Sequence, residues 1–210
     1  MGSLDWIIKA YNEGEFFTAF DIETTGLDPK LDRIVEFGAI KFDRRGIMAR
    51  YSALINPEIP MPEEAGKVNG ISDAMLAGKP VIEETLPNFL KFIQNTLIVA
   101  HNAPFDCGFV NETLKRLNKA EGSAQIPFAV LPNRIADTLV LSRECFAGLK
   151  SYSLQNLAAD LGLSTMNAHR AEDDALLCMK IFIRIVLPRT DYHAQTSNNT
   201  PVPCSLVPNP

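Results

Sequence analysis

Two carboxylates stand one residue apart at the end of an apolar, aromatic stretch near the amino terminus. Residues 16–22 have the length and aromatic content of a buried β-strand, and Asp21 and Glu23 stand at its end. Because side chains alternate along a strand, the two acids point to the same face. Like charges side by side need a positive partner, and a hard divalent cation with oxygen ligands is the natural candidate. Taken alone, the pair is equally compatible with two solvated acids at a strand end.

A third acid, Asp106, lies in the first turn of a predicted helix that follows a short apolar strand, residues 97–100. It shares a helical stripe with Val110, Thr113 and Leu117, which places it near the buried face. An acid at this position is also a common dipole or capping residue, so a ligand and a helix terminus both remain open.

The last acidic stretch follows His169 and opens a predicted helix over residues 171–187. Helical periodicity separates two neighbouring acids, because Asp173 shares a stripe with basic residues and Asp174 shares one with apolar residues. Asp174 is therefore predicted to face the interior. A lone histidine is more often structural, but one that precedes a core-facing acid can take a proton from water near neutral pH.

The elements that must position these residues predict an α/β domain with a mixed sheet flanked by helices. Strands at residues 16–22, 33–42 and 47–55 follow one another with short links, which predicts an antiparallel meander. Strands at residues 97–100 and 133–137 alternate with helices, which adds parallel strands. Helices are predicted at residues 4–11, 82–93, 138–146, 154–161 and 171–187. A further helix begins at Ser72 or Asp73, and the helix that carries Asp106 in its first turn ends at about residue 118.

Length and composition predict one domain, residues 1–188, and a flexible tail rich in Pro, Asn, Thr and Ser, residues 189–210. No apolar run reaches the roughly 18 residues of a membrane span. The four cysteines are scattered, and no signal-peptide pattern is present, which together indicate a reducing cytoplasm. The formal net charge of −5 argues against a broad basic groove, although bound divalent cations would offset much of it.

In its motifs the chain resembles the DEDDh 3′–5′ exonucleases, particularly the branch similar to the proofreading epsilon subunit of DNA polymerase. Three stretches carry the resemblance in the family's order: residues 20–27 (FDIETTGL), 101–106 (HNAPFD) and 169–174 (HRAEDD). The loop at residues 68–72 (VNGIS) also looks like a family loop. His169 stands five positions before Asp174, as in the His-type branch. The similarity extends over about residues 16–187.

The resemblance implies a ribonuclease-H-like fold and removal of nucleoside monophosphates from the 3′ ends of single-stranded DNA by two-metal-ion hydrolysis. Two divalent cations, Mg²⁺ or Mn²⁺, would be held by Asp21, Glu23, Asp106 and Asp174. One cation would activate the attacking water and the other would stabilise the leaving 3′ oxygen. His169 would be the general base for that water.

Substrate binding is a further expectation from the resemblance. The turn after the first strand would bring backbone amides close to the terminal nucleotide, and Gly26 would remove the Cβ obstacle. Leu27 and Phe105 would pack against the terminal base or sugar, although both are equally compatible with core positions. The expected substrate-binding residues are Thr24, Thr25, Gly26, Leu27, Asn102 and Phe105.

Two other functions remain open. One is an RNA-directed 3′–5′ exoribonuclease of the same family, similar to ribonuclease T or oligoribonuclease; the sequence Glu23-Thr24-Thr25-Gly26 looks more like the proofreading branch, which favours DNA. The other is a non-catalytic module that tethers a DNA polymerase. A binding module need not keep four acids and a histidine that depend on one another, so an enzyme is favoured. A DNA polymerase is also the expected protein partner of such an enzyme.

Overall fold

A five-stranded mixed sheet forms the centre of the structure, a computed structural model that describes residues 3–119, 127–163 and 169–195. Its strands are β1 (Phe17–Thr24), β2 (Ile34–Asp43), β3 (Gly46–Leu54), β4 (Leu97–Ala100) and β5 (Ile135–Asp137). Across the sheet they lie in the order β3-β2-β1-β4-β5. β2 is antiparallel to both β1 and β3, whereas β4 is parallel to both β1 and β5. The predicted combination of a meander with parallel strands is confirmed.

Helices cover both faces of this sheet. In the described part of the chain they are α1 (Ser3–Glu13), α2 (Glu63–Asn69), α3 (Asp73–Leu76), α4 (Ile82–Ile93), α5 (Ala103–Lys119), α6 (Thr138–Cys145), α7 (Leu154–Asp160) and α8 (Ala171–Gln195). None of these described helices is long and apolar enough to cross a membrane.

Alternation along β1 divides its side chains between two hydrophobic cores. Phe17 belongs to the core that the sheet shares with α1, α6, α7 and α8, and Phe20 belongs to the core shared with α4 and α5. Since alternate residues share a face, Asp21 and Glu23 lie on the Phe17 side, where α8 packs. The strand therefore delivers both acids to the face that carries α8.

The last helix is longer than predicted. The sequence pattern places its end at residue 187, before Pro188, but α8 continues through this proline to Gln195. Proline removes its own amide and crowds the preceding turn, which kinks a helix without always ending it. The predicted boundary at residue 188 thus falls inside α8, and residues 196–210 of the predicted tail lie outside the described residues.

Candidate active site

Three carboxylates meet where β1 ends beside the first turn of α8. Asp21 and Glu23 come from β1 and Asp174 from α8, and one oxygen of each lies within 4.8 Å of the others. Asp174 is 6% exposed whereas Asp173 is half-buried, which agrees with the predicted helix phase. A group of carboxylate oxygens at this spacing suits a hard divalent cation.

Asp106 adds a fourth acid from the first turn of α5. Its side chain is buried, and its Oδ1 accepts a hydrogen bond from the backbone N–H of Ile22 at 3.2 Å. The pairing of β4 with β1 extends only to Ala19. Asp106 therefore accepts a hydrogen bond from the backbone of β1 at a point where β4 no longer pairs with it. Asp106 repels Asp21 but is not among the three acids that meet within 4.8 Å. The four site acids are Asp21, Glu23, Asp106 and Asp174.

Burial raises the pKa of all four site acids. The pKa of Glu23 rises to about 8, and that of Asp106 also rises to about 8. The pKa of Asp21 rises well above its usual value, first because of burial and then because of the neighbouring acids. Burial raises the pKa of Asp174 as well, against hydrogen bonds that lower it. A cation bound among these groups would favour their charged forms and reverse the shifts.

His169 lies at the open edge of this cluster. It is exposed, it immediately precedes Arg170 and α8, and its backbone has a left-handed φ of 64°. The amide of His169 donates to Oδ2 of Asp174 at 3.2 Å, and the side chain of Gln155 donates to Oδ1 of Asp174 at 2.6 Å. The nearby imidazole also lowers the pKa of Asp174. The general-base role expected of His169 stays a prediction.

The two threonines after Glu23 hold the turn that follows β1. The hydroxyl of Thr24 donates to the carbonyl of Gly26 at 2.6 Å. The hydroxyl of Thr25 donates to Asp32 at 3.2 Å and accepts from the Arg33 amide at 2.9 Å. A Cβ at Gly26 would collide with the carboxylate of Asp32, so the glycine is needed for this packing. The turn is shaped beside the acids, and its contact with a nucleotide stays a prediction.

The other expected substrate-binding residues have different surroundings. Leu27 is 83% exposed, which excludes the core alternative for this side chain. Phe105 is half-buried against the α4–α5 core, with its ring centroid 5.0 Å from that of Phe109, so a core role is favoured there. Asn102 is exposed directly before α5 and has a φ of 63°.

Asp137 is a positioning residue that the sequence analysis missed. Its carboxylate accepts hydrogen bonds from the amides of Asn102 and Ala103, each at 3.1 Å, and from the amide of Leu139 at 2.9 Å. One side chain thus caps the start of α5, which carries Asp106, and the start of α6. The local sequence signal was an aspartate directly before a predicted helix, but its link to α5 is a tertiary contact.

Glu36 is a second acid that the sequence analysis missed. It lies on β2, is 1% exposed, and pairs with Arg170 across a large sequence separation. The available signal was an acid inside the apolar stretch Ile34–Ile40, because a buried charge requires a partner. No local pattern identifies that partner.

Comparison with known proteins shows which family the chain resembles. A family model described as Exonuclease (RNase_T) matches residues 18–182. A DNA polymerase III subunit epsilon from Treponema pallidum is 41% identical over 201 residues, covering 95% of this chain and 89% of that protein. A DNA polymerase III PolC-type from Caldanaerobacter subterraneus is 38% identical over 85% of this chain and 12% of its own length. Among solved structures, Exonuclease X in complex with 5′ overhanging duplex DNA has a TM-score of 0.65 at 26% identity, covering 82% of this chain and 92% of its own.

The chain therefore belongs to this exonuclease family, with the ribonuclease-H-like fold that its resemblance implied. It is a 3′–5′ exonuclease, a phosphodiester hydrolase similar to the epsilon subunits of DNA polymerase III.

Proposed function

We propose that the four site acids hold two divalent cations, Mg²⁺ or Mn²⁺, and that the protein removes nucleoside monophosphates from 3′ ends of single-stranded DNA. The meeting of three carboxylate oxygens within 4.8 Å carries this proposal. Asp106 supports it, because its carboxylate is hydrogen-bonded to the residue between Asp21 and Glu23. Carboxylate oxygens are the ligands that both cations accept.

Divalent cations bound there would lower the pKa of a bound water and offset the charge of the phosphate and of the leaving 3′ oxygen. The remaining steps belong to the chain. The imidazole of His169 takes the proton of the attacking water, since it is exposed at the edge of the cluster. Gln155 and the amide of His169 hold the two oxygens of Asp174, which fixes the direction of that carboxylate.

Two relatives support DNA as the substrate. One is named a DNA polymerase III subunit, and the other was solved with duplex DNA that has a 5′ overhang. We infer that the exposed Leu27, four residues after Glu23, packs against the terminal base. We infer that the DNA strand contacts the backbone of residues 24–26 and the side chain of Asn102. The name of the Treponema relative also supports a DNA polymerase as partner. We infer a cytoplasmic location from such a partner.

A strand-matched nuclease assay tests this function. Single-stranded DNA and RNA of one sequence, labelled at the 5′ end, are incubated with the protein in Mg²⁺, in Mn²⁺ and in EDTA. We expect the DNA to shorten from its 3′ end in either metal and to stay intact in EDTA. If the RNA were shortened faster than the DNA, the proposed substrate would be RNA instead of DNA. If both strands kept their full length in both metals, the catalytic proposal would be overturned in favour of a binding module.

A further inference from the structure

Glu36 is a buried acid of β2 beside the site that the proposed mechanism does not use. It stands opposite Glu23 in the β1–β2 register, and its charge contributes to the raised pKa of both Asp21 and Glu23. A fifth buried negative charge next to four others is unfavourable unless it is compensated. The groups that compensate the charge of Glu36 indicate its role.

The carboxylate of Glu36 receives hydrogen bonds from two neighbouring residues. Oε1 accepts from Nη2 of Arg170 at 2.6 Å, and Oε2 accepts from Nε of Arg170 at 3.2 Å. This is the two-pronged guanidinium–carboxylate geometry, which fixes direction as well as distance. Oε2 also accepts from the backbone N–H of Ala171 at 3.2 Å. Both carboxylate oxygens are therefore engaged by residues at the start of α8.

The amide of Ala171 belongs to the first turn of α8, where backbone N–H groups have no partner within the helix. Glu36 supplies that partner from another element, and its negative charge is favourable at a helix amino terminus. The two backbones are also in close contact, because a Cβ at Gly38 of β2 would collide with Ala171 and with the Glu172 amide. The helix therefore begins at one fixed place on β2.

The same short segment, at the start of α8, links His169 with Asp174. Arg170 stands between His169 and Ala171 in the chain, and its carbonyl accepts from the amide of Asp174 at 3.0 Å. Asp174 in turn accepts from the amide of His169. Any shift of Arg170 moves the cluster acid and the imidazole together.

We propose that Glu36 and Arg170 are positioning residues, which hold the start of α8 on β2 so that Asp174 and His169 meet the acids of β1. Glu36 holds no cation in this arrangement, because Arg170 and the Ala171 amide engage its oxygens. The inference rests on the proposed functions of Asp174 and His169, and it extends them to a pair that contacts neither substrate nor cation.

The test compares Glu36→Gln, Arg170→Lys and the double variant with the wild type. Each is assayed for kcat and KM on single-stranded DNA, for Mn²⁺ stoichiometry and for Tm, with cleavage measured well below the Tm of every variant. Residues that orient metal ligands typically contribute about 10–100-fold. We expect kcat to fall by about that factor, with KM and the number of bound Mn²⁺ ions nearly unchanged. Because both residues act through one contact, the double variant should lose about as much as either single variant.

Asp43→Asn is the matched control. Asp43 is also a buried acid of β2 paired with an arginine, since its Oδ2 lies 2.7 Å from Nη2 of Arg45, but it is at the hairpin end of the strand. This variant should lower the Tm and leave kcat unchanged. If Glu36→Gln behaves like Asp43→Asn, with a lower Tm and full kcat, the pair is merely structural and the inference is overturned.

Three further outcomes separate this inference from the proposed function. Loss of one bound Mn²⁺ ion in Glu36→Gln would make Glu36 a ligand and overturn the positioning role. A wild-type protein that cleaves nothing in metal would overturn the proposed function itself. If the wild type cleaves DNA and the Glu36→Gln and Arg170→Lys variants keep its full kcat, only the positioning role is overturned.

Discussion

Four other acids lie close enough to Asp21 to affect its charge. Its pKa is raised by burial and then by the charges of Asp106, Glu23, Asp174 and Glu36. Asp106 and Asp174 each accept hydrogen bonds from neighbouring groups, which favour their charged forms. The ionised form of Asp21 therefore depends strongly on a nearby positive charge.

Replacement of Asp21 by asparagine should abolish cleavage and yet preserve the fold. The amide has nearly the same shape, and it removes one of several mutually repelling carboxyl groups. We expect cleavage in Mg²⁺ to be lost, while the Tm in EDTA is equal to or above that of the wild type. A variant that retained most of its activity would show that Asp21 is not a ligand.

Replacement of His169 by alanine should lower kcat without abolishing it. General-base catalysis typically contributes about 10²–10⁴-fold, so a loss in that range is expected, with little effect on Mn²⁺ affinity. A protonated imidazole cannot accept a proton from water. The wild-type kcat should therefore fall on the acidic side, and this limb should be absent from the variant. A lower Tm with an unchanged pH profile would instead assign His169 a structural role.

At the scale of single elements, α8 presents two adjacent acids to different surroundings. Asp174 is turned to the cluster and is held by Gln155 and by the amide of His169. Asp173 is half-buried and is outside the three acids that meet within 4.8 Å. Side chains of successive helical residues point about 100° apart, which accounts for the difference.

Paired substitutions test this helix phase. Asp174→Asn should abolish cleavage in Mg²⁺, whereas Asp173→Asn should keep most of it, since Asp173 is outside the three acids that meet within 4.8 Å. Both variants are compared with the wild type by kcat and by Tm. Equal losses of kcat at the two positions would show that α8 presents a different face to β1.

The sequence predicts most elements because their signals are local. Strand alternation and helical stripes place the five strands and the phase of α8, and Asp174 is identified from that phase alone. Glu36 and Asp137 were missed because their roles come from contacts with Arg170 and with the start of α5, far away in the chain. The predicted end of α8 at residue 187 was wrong, because the helix continues through Pro188 despite the hydrogen bond that a proline removes.

At the scale of the whole molecule, the buried acids link metal, pH and stability. Without a cation, the pKa of Glu23 and of Asp106 is raised to about 8, above the ~4 of an exposed carboxyl group. The folded state then binds more protons than the unfolded state between these values. The contribution of each group to stability is complete below about pH 4, and it is lost as the pH rises towards 8.

Thermal melts in EDTA between pH 5 and pH 8.5 test this linkage. We expect the acids to lower the Tm as the pH rises, and Mn²⁺ to raise it most at the alkaline end. Glu23→Gln is the matched variant, because the amide cannot ionise, and its Tm in EDTA should fall less steeply with pH. An identical slope for Glu23→Gln and the wild type would show that Glu23 is not protonated in the folded protein without metal.

The position of α8 as the last described element also has a consequence for synthesis. β1 supplies two of the site acids early, but Asp174 and His169 follow only after every strand of the sheet. Domains fold as units while the chain emerges from the ribosome, amino-terminal parts first. A nascent chain that still lacks residues 169–187 has neither His169 nor Asp174, so we expect the nuclease to stay inactive until those residues have been synthesised. Ribosome complexes stalled at increasing chain lengths should cleave DNA only after residues 169–187 have emerged, and cleavage by shorter chains would contradict this order.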